Sequence, residues 1–247
     1  MKSNKNELKK RGLPEKSNIE KYNNSSIEDL FQMANSSVAI DRSVAIILLR
    51  TKGLNEDALY IKLLLERLSV EKALYTKLEI CKSLETGKDK MAKAMCNYWG
   101  KIGNNQHTSI PDAVSRKKSY PLPRDIISRT FGRMDKSVCY VLLQQLESEN
   151  RMKICEAIDS IGYMVYYNPE SANSNIFSKL KETFDKYKDD ELIIWRITLC
   201  CSVFPIKESK ELLRQIRNIS IHPTIKREIE RSVSLINRKT DTQLFLE

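Results

Sequence analysis

The chain has little of what usually breaks up a fold. Its 247 residues include seven Gly and seven Pro, too few for the many tight turns of an all-β protein and about right for helices joined by short polar loops. It has two histidines, His107 and His222, and no Cys-x-x-Cys, so neither imidazole has a second ligand at metal spacing and no zinc site is expected. A Walker loop, His-Glu-x-x-His, Gly-x-Ser-x-Gly and Gly-x-Gly-x-x-Gly are all missing, and with them the common signatures of phosphate, metalloprotease, hydrolase and dinucleotide chemistry. No catalytic residue, cofactor or metal is expected. Long apolar runs are scarce too. The longest, Leu192 to Phe204, has thirteen residues with Arg196 as its only charge, short of the roughly 18 to 20 that cross a bilayer. The basic N-terminus, "MKSNKNELKKRGLPEKSNIEKYNNSS", has no apolar stretch to act as a signal-peptide core. Without an export signal, Cys81, Cys96, Cys139, Cys155, Cys200 and Cys201 read as small, reduced core residues of a cytoplasmic protein.

What is present is helical patterning, with 41% apolar residues, enough to bury a sizeable core. In "DELIIWRITLCCSVFP", Asp190 and Glu191 suit a helix N-terminus and Pro205 supplies a stop. The helix between them is apolar on nearly every side and must be sandwiched between neighbours. Ahead of it, Ile176, Phe177, Leu180, Phe184 and Tyr187 recur at three- and four-residue steps, which predicts an amphipathic helix with one wet side. A half-exposed helix, a short turn and a mostly buried helix form one unit.

The unit recurs. Its second helix carries a basic residue, two spacers, a paired apolar or small position, then a small residue and an aliphatic one. Arg196 leads Leu199, Cys200, Ser202 and Val203; Arg42, Lys77, Arg124 and Lys226 lead related sets, while Ile154 replaces the basic residue in another copy. Equivalent positions fall at Ala45, Ile80, Ile127, Ala157, Leu199 and Ile229. Fixed-period self-similarity of this kind marks a repeat architecture. The pattern resembles the HEAT and armadillo class of helical repeats, whose second helix carries a Val-Arg-x-x-Ala-type pattern ahead of a small and an aliphatic residue. The resemblance covers roughly residues 27 to 238. It implies an all-α fold, a right-handed α-solenoid of about six helix pairs with convex first helices and concave second helices, and a role in binding. Physical reasoning alone reaches a stacked all-α array, with a single compact bundle as the alternative. Residues 1–26 read as a polar tail or irregular helix, 239–247 as a C-terminal tail, and 101–122 as a basic loop inserted in the third pair.

The formal charge is +10. Residues 101 to 136 hold eight Lys or Arg against three Asp, residues 207 to 239 hold nine against four Glu, and residues 1 to 21 hold seven against three. Such a surface accepts a phosphate backbone by counterion release, although a Lys-rich composition raises the pI with no ligand at all. The column Arg42, Lys77, Arg124, Arg196 and Lys226 has two readings. Each residue pairs with an acid or a helix-end carbonyl and fixes stacking, or several face a groove as donors to phosphate or carboxylate. In the inserted loop, Arg116, Lys117 and Lys118 with Tyr120 and Arg124 interleave charge with an aromatic ring. The expectation is a non-enzymatic binding or scaffold protein that holds a protein or peptide partner on its concave face, with no membrane and no small-molecule cofactor. The alternative is a nucleic-acid binder. A resemblance to the alkylpurine DNA glycosylases of the AlkD type, also basic HEAT-like arrays, would draw Trp195, Trp99, Asp159 and Arg196 into a catalytic groove.

Overall fold

A computed structural model describes residues 4–244, with side chains to 238. Every regular element is helical, and no strand occurs among the described residues. None of the helices is long and apolar enough to cross a membrane. The chain divides into two compact units, Met1–Tyr98 and Trp99–Glu247.

In the first unit, α1 (Lys5–Lys10), α2 (Lys16–Lys21) and α3 (Ile27–Met33) precede α4 (Ala39–Thr51), α5 (Ala58–Val70), α6 (Leu74–Glu85) and α7 (Asp89–Met95). The starts of α3 and α5 are set by side-chain caps: Ser26 Oγ accepts from Asp29 N at 3.0 Å, and Asp57 from Tyr60 N at 2.8 Å. α4 packs against α3 and α6, and α5 against α6 and α7, around a core that includes Leu30, Ile46, Leu49, Leu64, Ile80 and Met91. The N-terminal stretch expected to be a polar tail or irregular helix is two short helices that lie on α4. Gly12 joins them at φ +84°, and a Cβ there would come within 2.9 Å of Ser43 Oγ. Only a glycine both adopts this left-handed turn and lets the backbone pass so close to α4.

In the second unit, α8 (Ile126–Phe131), α9 (Cys139–Gln145), α10 (Arg151–Tyr167), α11 (Ser174–Lys186), α12 (Glu191–Cys201), α13 (Lys207–Ile219) and α14 (Pro223–Leu244) follow the long loop. α8, α10, α12 and α14 pack in that order, each on the next, while α9, α11 and α13 lie against them. α12 therefore has helices on several sides, and Leu192 through Cys201 are all buried. Its first turn is capped by Asp190, which accepts from Leu192 N and Ile193 N at 3.1 Å each. Short polar residues link successive second helices. Ser128 Oγ donates to Glu156 Oε2 at 2.9 Å, and Ser232 Oγ to the Thr198 carbonyl at 2.9 Å.

The helix pairs fall where the periodicity predicts them, with two departures. The single repeat region expected over 27–238 is divided inside its third pair. α7 has seven residues and packs with α5, while α8 has six and packs with α10; the inserted loop separates the two short helices. At the C-terminus, the tail expected over 239–247 is helical as far as Leu244 because α14 continues through it; residues 245–247 lie outside the described residues. Five of the six cysteines are buried and Cys81 is partly so, and none is bridged by a disulfide.

Candidate functional site

The inserted loop does not hang free. Within the second unit it runs across α10, α12 and α14, held chiefly by arginines that donate to its backbone carbonyls. Arg196 Nη2 on α12 donates to the His107 carbonyl at 3.0 Å. On α14, Arg227 Nη2 donates to the Asp112 carbonyl at 3.0 Å, and Arg231 Nη2 to those of Lys117 at 3.2 Å and Ser119 at 2.6 Å. Charge-assisted bonds to carbonyls are stronger than neutral ones, and these four also satisfy backbone acceptors that have no helix or sheet partner. Near its start the loop is fixed by Asp125, whose buried carboxylate accepts from Gly100 N at 2.9 Å and Gln106 Nε2 at 3.0 Å while capping α8 at Ile127 N, 2.7 Å away. Near its end Tyr120 is buried against Gly162 of α10, where a Cβ would overlap the phenol. We refer to residues 101–122 as the strap.

Beneath the strap lies a buried ionic cluster. Arg196, 1% exposed, donates through Nη1 to Asp159 Oδ2 and to the Cys155 carbonyl, and through Nη2 to Glu156 Oε1 at 3.1 Å as well as to the strap. Asp125, Glu156, Asp159 and Glu228 are all buried. Glu228 Oε1 accepts from Arg231 Nη1 at 2.6 Å. Burial pushes the Glu156 carboxyl up to about 7 and outweighs the pull of Arg196; Asp159 and Glu228 are raised for the same reason, against Arg196 and Arg231 respectively. His107, edge-on to Trp195 with ring centroids 5.1 Å apart, is pushed down to about 4 by burial and then by the charges of Arg124 and Arg196. It is neutral at neutral pH.

A cavity of about 360 Å³ opens between strap and helices, lined by His107, Tyr120, Asp159, Trp195, Leu199 and Glu228 among others. Exposed Lys117 and Arg124 also line it and mark its mouth. Four polar atoms of its buried residues make no hydrogen bond among the described residues: Asp159 Oδ1, Glu228 Oε2, Trp195 Nε1 and Tyr120 Oη.

The residues singled out from the sequence separate into two groups. Arg42 is buried in the first unit, gripping Glu71 through two bonds of 2.7 Å and the carbonyls of Ser36 and Ser37 at 2.8 and 3.0 Å. Arg196 is buried in the second unit as described, and Tyr120 is buried beside it under the strap. All three are taken up by the chain itself. Lys77 is half-buried, whereas Arg116, Lys117, Lys118, Arg124 and Lys226 are exposed. Of the glycosylase-like set, Trp195, Asp159 and Arg196 do come together, but under the strap, while Trp99 packs on Phe131 with ring centroids 5.4 Å apart.

No sequence pattern marks Glu156, Glu228, Arg227 and Arg231, whose roles depend on contacts between distant helices and loop carbonyls. Gly162, in mid-helix where glycine is unfavourable, is the one local signal that a neighbour approaches closely. Comparison with protein-family models, with curated proteins and with solved structures finds no match to this chain.

Proposed function

We propose that the chain is a non-enzymatic, HEAT-like α-solenoid protein that binds nucleic acid through the outer side of its strap and the adjoining part of α14. The observation that carries this reading is the placement of two basic stretches of the sequence. Residues 112 to 119 run along α14 from Thr224 to Arg231, which brings exposed Arg116, Lys117 and Lys118 alongside exposed Lys226 and Arg227. Of the three acids in these stretches, Glu228 is buried and already holds Arg231, Glu230 pairs with Arg217, and Asp112 is exposed. Positive charge gathered in this way suits a repeating phosphate backbone, which repays neutralisation by releasing counterions. A partner seated on the bare second-helix face is less well supported, because the strap in the second unit and the Gly12 turn in the first already lie on those helices. Six cysteines without a disulfide fit a reducing, cytoplasmic setting. No base excision is expected, since Asp159 lies beneath the strap rather than in an open groove.

The test is fluorescence anisotropy with a 30-base-pair DNA duplex and a 30-nucleotide RNA over a salt series. The expected result is binding whose logarithmic salt slope falls by about three when Arg116, Lys117 and Lys118 are all changed to Glu, roughly one unit per lost phosphate contact. A slope unchanged by the triple substitution overturns the proposal. Selective binding to poly-L-glutamate would overturn it in favour of an acidic protein partner.

A further inference from the structure

The cavity beneath the strap shares Lys117 with the exposed basic surface but has a different chemistry at its inner end. Its buried end carries two carboxylates, each with one oxygen held by an arginine and the other, Asp159 Oδ1 or Glu228 Oε2, making no hydrogen bond among the described residues. Asp159 is 6% exposed and Glu228 fully buried. A buried acceptor left without a donor costs free energy, more so when it is ionised. That end is acidic: Asp159 and Glu228 line it, Asp125 and Glu156 are buried close to Asp159, and Arg196 and Arg231 bond all of these acids but Asp125. The outer end is the reverse, with Lys117 and Arg124 exposed at the mouth. Trp195, Leu199 and the strap's Pro111, Pro121 and Pro123 supply apolar wall between the two ends. No three His, Cys, Asp or Glu side chains converge as a metal site requires among the described residues, so the two acceptors suit N–H donors rather than a bare ion.

We propose that this cavity binds a small organic molecule whose inner end is a guanidinium or ammonium group, held by Asp159 and Glu228, and whose outer end is a carboxylate or phosphate facing Lys117 and Arg124. A guanidinium offers a rigid set of N–H donors to the free oxygens, and the apolar wall suits the chain behind it. The volume, about 360 Å³, falls in the lower range of small-molecule sites. The nucleic-acid surface and this cavity share Lys117; Asp159 and Glu228, which form the inner end of the cavity, take no part in the nucleic-acid surface.

The test uses three probes of matched length on the full chain by isothermal titration calorimetry and ligand-observed NMR. L-arginine has both charged ends, agmatine lacks the carboxylate, and L-citrulline replaces the guanidinium with a neutral urea. The expected order is arginine tightest, agmatine weaker by several-fold, and citrulline weaker than arginine by at least tenfold. E228Q and D159N each weaken arginine at least tenfold while leaving the far-UV circular dichroism spectrum unchanged. Should D159N fail to fold for want of its pair with Arg196, the probe series on the unaltered chain and E228Q still decide the matter. Equal binding of arginine and citrulline, or no binding of either guanidinium probe, overturns the proposal and leaves a cavity that holds only water.

Discussion

Gly162 leaves the space that the Tyr120 ring fills: a Cβ at Gly162 would lie 2.6 Å from Tyr120 Cζ. In an exposed helix a Gly→Ala change stabilises by about 1 kcal/mol, but here the added methyl meets the end of the strap. Gly162→Ala is expected to lift the strap and to speed tryptic cleavage at Arg116, Lys117 or Lys118 several-fold at pH 8, with helix content unchanged. Cleavage at the rate of the unaltered chain would show that the strap is not seated through Tyr120.

Glu156 should make the protein less stable as pH rises. Its carboxyl sits near 7 in the folded chain, chiefly through burial, and near 4.3 once unfolded. A raised folded-state value means stability that is complete below the unfolded value and lost as pH climbs through the folded one. Urea unfolding between pH 4.5 and 8 should therefore fall less steeply for Glu156→Gln than for the unaltered chain. Parallel curves would contradict the assignment.

His107 shifts the other way. Burial and two nearby cations hold its imidazole at about 4, so it contributes stability above the unfolded value near 6.5 that is lost as pH falls toward 4. Proton NMR of the two imidazoles, assigned with His107→Gln, should show the His107 signal still unshifted at pH 5.5. A midpoint near 6.5 would mean that the strap does not bury the ring.

In the first unit, Glu71 receives two bonds from Arg42 and accepts from the N–H groups of Lys72 and Ala73, just ahead of α6, at 2.9 and 2.8 Å. Burial pushes its carboxyl up, but these bonds outweigh it and hold it below the usual range. Its contribution is thus present above about pH 4.3 and lost on acidification. Glu71→Ala leaves the Arg42 guanidinium buried without its partner and should cost about 3–5 kcal/mol, measured by thermal or urea unfolding at pH 7. A loss under about 1 kcal/mol, the level of a surface pair, would show that Arg42 finds water instead.

Much of the helical framework was legible in the sequence because helix formation is local. Asp190 caps the helix that follows it, the three- and four-residue spacing on α11 marks its buried side, and the apolar girth of α12 requires neighbours on several sides. All these signals lie within a few residues of what they decide. The basic column was only half legible. Its Arg42 and Arg196 look alike in sequence to Arg124 and Lys226, yet the first two are buried and the last two exposed, because burial depends on which helix or loop arrives opposite.

What the sequence determined alone was therefore an all-helical chain, the positions of its helix pairs and the strong positive charge of two of its segments. Tertiary structure decided the course of the inserted loop. The loop is held by arginines of α12 and α14 that lie 89 to 115 residues away in the chain and grip backbone carbonyls. Every residue type offers the same carbonyl, so no side-chain pattern could announce the contact; only the packing of helices from distant parts of the chain brings those arginines to it and closes the cavity beneath.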